Sequence, residues 1–426
     1  LTQMGLLKEA DYASVNFGDD PTSVDYERVF YARRPILEIA VKNFLENQSF
    51  QADFKHFEKS NRLWLDDFAE FMAIKEHFGN QALQKWDDKK AVARDPSALE
   101  KYRTMLAEQI QYFKVTQYFF FKQWTELKNY ANQKGIKIIG DMPIYVAADS
   151  VEVWTKPELF QLDEERNPLF VAGVPADQFS ATGQLWGNPL YAWEEHKKQG
   201  YAWWIHRIEE SFKIYDVLRI DHFKGFSDYW QVDGKAEVAK DGSWQPGPGY
   251  DLFKAVKEQL GDLPIIAEDL GNIDDKARKL LTDCNYPGMK ILQFGFEDVS
   301  GESLDSPHYC IPHSIVYTGT HDNDVTNGWY NSLTEQQQQY INDYTHRHED
   351  ESICQAMIRQ LFATVSNTAI ATMQDVLDLP ASSRMNVPST IGGNWQWRMQ
   401  QSDLTQDKKD FLEKMTTLYQ RVNQEK

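Results

Sequence analysis

The sequence predicts an α/β protein built around a parallel sheet, and three observations carry that prediction. From residue 135 onward, short apolar strands alternate with helical stretches, the pattern of parallel strands joined by crossover helices. Four of those strands, taken in order, deliver acidic residues at their carboxyl ends. No strand is followed by G-x-G-x-x-G or by a P-loop, so a nucleotide-binding sheet lacks its signature. Six strands suit a doubly wound sheet by number. In a parallel barrel, however, the carboxyl ends share one rim, which is where such folds place their active sites.

With 426 residues the chain exceeds what a sizeable core needs, as one large domain with insertions or as two or three smaller units. A formal net charge of −19 argues against nucleic acid or an anionic membrane surface as partner, and is compatible with a neutral substrate. The 13 Trp, 20 Tyr and 24 Phe suit packing on sugar faces, although filling a core is the commoner use. Cys284, Cys310 and Cys354 are widely spaced and form no C-x-x-C, so reduced thiols and a cytoplasmic setting are expected. No apolar run approaches membrane-spanning length, and Leu1–Ala10 lacks a signal-peptide layout. A leading leucine in place of methionine hints at a processed or truncated start.

Taken in order, residues 1–134 read as a helical subdomain. Apolar residues recur at three- and four-residue spacing over Tyr26–Leu45, Phe54–His77 and Ala98–Lys134, with a break at Asp95-Pro96. The cluster Tyr118-Phe-Phe-Phe-Lys-Gln-Trp124 spreads around more than one helix face, which favours core packing over a ligand platform. Residues 135–418 then form the catalytic region. Strands are expected at Lys137–Asp141, Asp216–Asp221, Pro264–Glu268, Met289–Phe294, His313–Thr318 and Thr368–Met373. Helices are expected at Asp251–Leu260, Lys276–Asp283, Thr334–Tyr344 and Glu351–Val365, the third opening on a capping box in Ser332-Leu-Thr-Glu335. Residues 150–200 read as a long active-site loop region, 232–249 as a second Gly- and Pro-rich excursion and Arg384–Arg398 as a third. Residues 419–426 read as a tail.

The chemistry lies at the strand ends. Ile138-Ile-Gly-Asp141, Leu218-Arg-Ile-Asp221, Ile265-Ile-Ala-Glu268 and the run to His321-Asp322 each bring an acid to a carboxyl end. Arg219 and Asp221, two apart on a strand, share a face. One such acid is readily a cap or an ion pair, but four in series point to a site. Convergent carboxylates without a His/Cys cluster suit glycosyl transfer, which needs one acid to protonate the leaving oxygen and one carboxylate to attack the anomeric carbon. A neighbouring guanidinium favours the ionised partner, so Asp221 reads as nucleophile and Glu268 as acid/base. Asp322 is left to bind sugar hydroxyls and balance developing positive charge. His222 and His321, isolated beside acids, fit hydrogen bonding to sugar as well as ligation.

These residues resemble a known family. Leu218–Phe223, Ala267–Gly271 and Thr320–Asn323 resemble motifs of the α-amylase clan. Gly140–Ser150, Phe179–Pro189 and Gly393-Asn-Trp-Gln-Trp-Arg398 narrow the resemblance to the 4-α-glucanotransferases (amylomaltases, or disproportionating enzymes), family 77 of the glycoside hydrolases. The resemblance implies a (β/α)₈ TIM barrel with helical insertions, acting by retaining double displacement on α-1,4-linked maltooligosaccharides or starch-like glucans. It assigns Asp221 as nucleophile, Glu268 as general acid/base and Asp322 as transition-state stabiliser. Asp141, Arg219 and His321 would bind the sugar at the cleavage point, and Gln184, Trp186 and Asn394 belong to cleft-lining segments. No cofactor or metal is expected.

The chain departs from the family pattern in two ways. Members carry two further barrel strands ahead of the helical region, so the six strands here are expected to be the third through eighth of a shortened barrel. Ala176, Gln178 and Val325 replace more usual residues at loop positions and are expected to tune the cleft. An α-1,4-glucan hydrolase or an inactive glucan-binding fragment are the competing readings. Phe179, Trp186 and Tyr191, on the 173–191 loop, are expected to shield a covalent intermediate from water.

Overall fold

A computed structural model describes residues 1–176, 181–271 and 273–422. Gln178 and Phe179 lie outside the described residues. The chain divides into two compact units. The first holds Leu1–Ser14 and Arg34–Asn285, the second Val15–Arg33 and Tyr286–Lys426.

In the first unit the helical periodicities fold as read, with breaks the spacing alone did not show. Tyr26–Glu46 is one helix, whose part from Arg34 onward belongs to this unit, while the Phe54–His77 stretch becomes two, Gln51–Ser60 and Arg62–His77. Asp95 caps the helix Pro96–Met105 by accepting from the amides of Ser97 and Ala98, and Pro96 takes the first helical position, where no amide partner is needed. Tyr118 and Phe119 of the following helix, Ala107–Gln133, are buried against Phe44, with ring centroids 5.3 and 5.2 Å away. Tyr118 and Phe119 are therefore core, while Phe120 of the same cluster is exposed and Phe121 and Trp124 are partly buried.

Three parallel strands follow, β1 (Ile139–Met142), β4 (Val217–Ile220) and β7 (Ile265–Ala267), in the sheet order β1-β4-β7. Between them lies a sheet that the sequence reading assigned to loops. Strands β2 (Phe170–Val174), β3 (Gln184–Pro189), β5 (Asp228–Asp233) and β6 (Ser243–Pro246) pair antiparallel in the order β3-β2-β5-β6. The 150–200 region and the 232–249 excursion thus meet edge to edge. The pairing of β2 with β5 is long-range, which local pattern cannot reveal. Gly173 marks the close approach, since a Cβ there would lie 2.5 Å from the carbonyl oxygen of Gln184.

The second unit contains β8 (Gly288–Ile291), β9 (Ser314–Tyr317) and β10 (Thr368–Ile370), again parallel and again in chain order. The expected strand Met289–Phe294 is shorter, because Leu292–Glu297 turns helical. The capping box falls on Thr334 and Gln337, two residues after the expected one. Ser332 closes the preceding helix and gives its hydroxyl to Trp329 O at 2.7 Å, so it cannot cap the next. Leu292, Phe296, Val316, Trp329, Met357 and Leu361 form the core under these strands. Arg421, in the stretch read as a tail, donates to the carbonyls of Phe362, Thr364 and Ser366 at 2.8–3.0 Å.

In neither parallel sheet does the strand order reverse, as it must in a doubly wound sheet. Strands succeeding one another in one direction are the pattern of a barrel wall. Among the described residues no helix is long and apolar enough to cross a membrane.

Candidate active site

The register of the first parallel sheet builds the charged centre. Asp141 on β1 is the register partner of Arg219 on β4, and directly opposed residues in a sheet face the same side. Arg219 Nη1 donates to both carboxylate oxygens of Asp141 at 2.7 Å and to Asp221 Oδ1 at 3.0 Å. The guanidinium side chain is 9 % exposed, whereas those of Asp141 and Asp221 remain 39 % and 42 % exposed. A buried cation therefore underlies two accessible acids. Burial works against the charge on Arg219, but Asp141 and then Asp221 outweigh it and hold the guanidinium above its ordinary range.

Glu268 sits one residue past β7, next to the end of β4. Its amide donates to Ile220 O at 3.0 Å, and the Asp221 amide donates to Met142 O at 3.0 Å, so both acids leave the sheet on extended ladders. The Glu268 carboxylate accepts from the backbone N–H of His222 (2.7 Å) and of Leu270 (2.8 Å). Desolvation nevertheless dominates and raises the carboxyl to about 7, with Asp221 adding to the rise and Arg219 and the two amides opposing it. The sequence reading gave Glu268 the proton for want of a neighbouring cation. Arg219 is in fact a neighbour, and the physical cause is burial.

His222, whose N–H bonds Glu268, itself adopts a left-handed backbone, φ 52°. Its ring is partly buried and pulled down to about 4 by desolvation, so it is a neutral neighbour. Trp186 on β3 meets that ring edge to face at 4.9 Å, and its Nε1 donates to Gln184 Oε1 at 3.3 Å. Trp186 keeps part of its surface open. Tyr191 does not belong to the cleft, contrary to expectation. It is buried, gives its hydroxyl to Ile144 O at 2.7 Å and packs on Trp204. Ala176 is exposed ahead of this strand.

The second unit carries the remaining residues past the end of β9. Thr318, buried, donates to Asp375 Oδ2 at 2.6 Å, and the Thr326 amide donates to Asp375 Oδ1 at 2.8 Å. Those bonds clamp both ends of the turn 318–326, inside which the Thr320 amide and hydroxyl donate to Asn323 Oδ1. Val325, buried, occupies the N-cap position of the helix that follows without a side-chain bond to it. His321 Nε2 lies 3.3 Å from Asp322 Oδ2, and Trp395 packs on the His321 ring at 5.1 Å. Asn394 does not reach this pair. Its side chain closes its own loop by accepting from Val387 N at 2.9 Å and donating to Thr390 Oγ1 at 3.1 Å.

Sequence reasoning missed the amides of His222 and Leu270, and it gave no role to Arg384, Asn386 or Trp395. Arg384 and Asn386 were visible only as members of the Arg384–Arg398 loop stretch, and Trp395 also as part of the Gly393–Arg398 motif. Among the described residues, His206, Glu209 and Glu210 are grouped closely enough to hold a metal ion. They lie on the helix Ala202–Ile214, where Lys213 already pairs with Glu210.

An arginine-clamped aspartate beside a carboxyl that keeps its proton near neutrality, both at the carboxyl ends of parallel strands, defines a glycosyl-transferring enzyme of the two-carboxylate kind. Comparisons with known proteins agree. Residues 1–405 match the model of glycoside hydrolase family 77, described as 4-alpha-glucanotransferase. The 4-alpha-glucanotransferase of Streptococcus pneumoniae is 52 % identical over 425 residues, covering 100 % of this chain and 84 % of that protein. That of Clostridium butyricum is 41 % identical, covering 99 % and 86 %. The amylomaltase of Streptococcus agalactiae, solved in complex with acarbose, superposes with a TM-score of 0.98 at 57 % identity, over 99 % of this chain and 85 % of that one. The chain belongs to glycoside hydrolase family 77 and is a 4-alpha-glucanotransferase, an enzyme that transfers glucan segments. The hydrolase and inactive-fragment readings are not favoured.

Proposed function

We propose that this enzyme transfers α-1,4-linked segments between maltooligosaccharides, or starch- and glycogen-type glucans, by retaining double displacement. The observation that carries this reading is the pairing of Asp221, held by Arg219, with Glu268, whose carboxyl is raised to about 7. Asp221 attacks the anomeric carbon while Glu268 gives its proton to the departing glucosyl oxygen, leaving a covalent glycosyl-enzyme. Glu268, now ionised, takes the proton from the 4-hydroxyl of an acceptor glucan, which displaces Asp221. Asp322 stabilises the positive charge of each transition state. Asp141, Arg219 and His321 hold the sugar being transferred, while Gln184, Trp186 and Asn394 line the cleft. Trp186, half-open beside His222, offers the apolar face that a pyranose needs.

Residues 1–134 are read as a helical subdomain and 135–418 as the catalytic region, with a tail from 419. A cytoplasmic location is supported by three cysteines, all free. Incubation with maltotriose tests the reading. Oligosaccharides longer than the substrate are expected, and glucose with maltose as sole products would refute transfer. Acarbose, the ligand of the streptococcal relative, is expected to inhibit.

A further inference from the structure

We infer that Asn386 is a positioning residue for the known reaction, fixing the orientation of the Asp322 carboxylate; this rests on the reading of Asp322 as transition-state stabiliser. Asn386 Nδ2 donates to Asp322 Oδ1 at 2.6 Å, a short charge-assisted contact. The other oxygen, Oδ2, faces His321 Nε2 at 3.3 Å. The Asp322 and His321 side chains stay 44 % and 31 % exposed, so packing alone does not fix their rotamers.

Asn386 can orient Asp322 because it is itself held. Arg384 Nε donates to the Asn386 carbonyl at 2.9 Å, and Arg384 Nη2 donates to the Asp322 carbonyl at 2.7 Å. One guanidinium thus ties the backbones of both partners together. Directly after Asn386, the Val387 amide is anchored by Asn394, and Trp395 returns to pack on His321. The segment 384–395 brackets the His321–Asp322 pair from both of its ends.

The residue type fits the task. A carboxylate that balances a positive charge at an anomeric carbon loses that capacity if a lysine or arginine side chain neutralises it first. An amide N–H orients the oxygen and leaves the charge in place. The titratable or cationic groups bonded to Asp322 among the described residues of this unit are His321 and Arg384, and the guanidinium of Arg384 bonds the Asp322 backbone rather than its carboxylate.

The test uses the full chain with Asn386→Ala, Asn386→Asp and Asp322→Asn, reading kcat and KM on maltotriose, the pH profile of kcat and a thermal melt. Asn386→Ala is expected to lower kcat by roughly 10²-fold, the scale of a misplaced catalytic group, with KM little changed. Asn386→Asp sets two carboxylates at bonding distance. While they share a proton, the new residue donates as the amide did. As pH rises and both ionise, they repel, so kcat of this variant should fall at lower pH than in the parent enzyme. A merely structural role would lower the melting temperature and scale the profile without moving that limb. Parental kcat in Asn386→Ala, or superimposable scaled profiles for the two Asn386 variants, overturns the inference. If Asp322→Asn itself keeps the parental rate, the assigned role of Asp322 is what fails. Should Asn386→Ala not fold, the limb of Asn386→Asp decides.

Discussion

One guanidinium nitrogen, Nη1 of Arg219, lies 2.7 Å from both oxygens of Asp141 and 3.0 Å from Asp221. A single buried cation thus serves two strands. Removing it leaves two carboxylates without their shared counter-charge and Glu268 without an opposing one. Arg219→Ala is expected to reduce kcat/KM by at least about 10²-fold and to lower the melting temperature. Arg219→Lys restores charge but not the planar reach, and should recover only part of the rate. Steady-state kinetics on maltotriose with a melt on each variant measures both.

Asp221→Ala should abolish transfer while leaving glucan binding intact, since the nucleophile forms its bond only during the reaction. Titration calorimetry with a long maltooligosaccharide reports the binding. Retention of most of the activity would remove Asp221 from the nucleophile's role.

Glu268 makes stability depend on pH in a defined direction. The folded protein holds its proton more tightly than the unfolded chain does, about 7 against the ordinary 4.5. Its favourable contribution is complete below the ordinary glutamate range and is lost as pH rises through about 7. Glu268→Gln keeps the shape and cannot ionise. Its melting temperature should exceed that of the parent at pH 8, and the difference should shrink toward zero on acidification below pH 5. Equal melting temperatures at pH 8 would contradict the desolvation account. The same group sets the expected fall of kcat/KM above about pH 7 in the parent enzyme, as the general acid loses its proton.

Asp375 holds the turn that carries His321 and Asp322 by accepting from Thr318 and Thr326. Asp375→Ala strands a buried amide and a buried hydroxyl, at about 1–3 kcal/mol for each unsatisfied group. Denaturant unfolding should show that loss, and kcat should fall with it because the turn is no longer clamped.

Trp204 is buried among Tyr191, Trp193 and Phe226 at ring distances of 5.1–6.0 Å, none of which has a part in the proposed chemistry. Trp204→Ala should cost about 3–5 kcal/mol of stability, read by denaturant unfolding. Activity per folded molecule should stay near that of the parent.

What the sequence by itself determined is local. Apolar runs of strand length ending in Asp141, Asp221 and Glu268 were legible because each is a short segment whose side-chain alternation and terminus are set by its own residues. The helical periods of the first 134 residues were legible for the same reason, as was the packing role of Tyr118 and Phe119. Tertiary structure alone decided the rest. The four-stranded antiparallel sheet depends on β2 meeting β5 across a long sequence separation, so its strands read as loop until the partners were in place. The proton on Glu268 is a matter of desolvation, which no sequence neighbour supplies. Asn386 reaches Asp322 across 64 residues, so its pairing rests on how Arg384 and the turn after β9 are folded together. Residue type and spacing say which groups a chain can offer, while burial and long-range contact settle their charge and orientation.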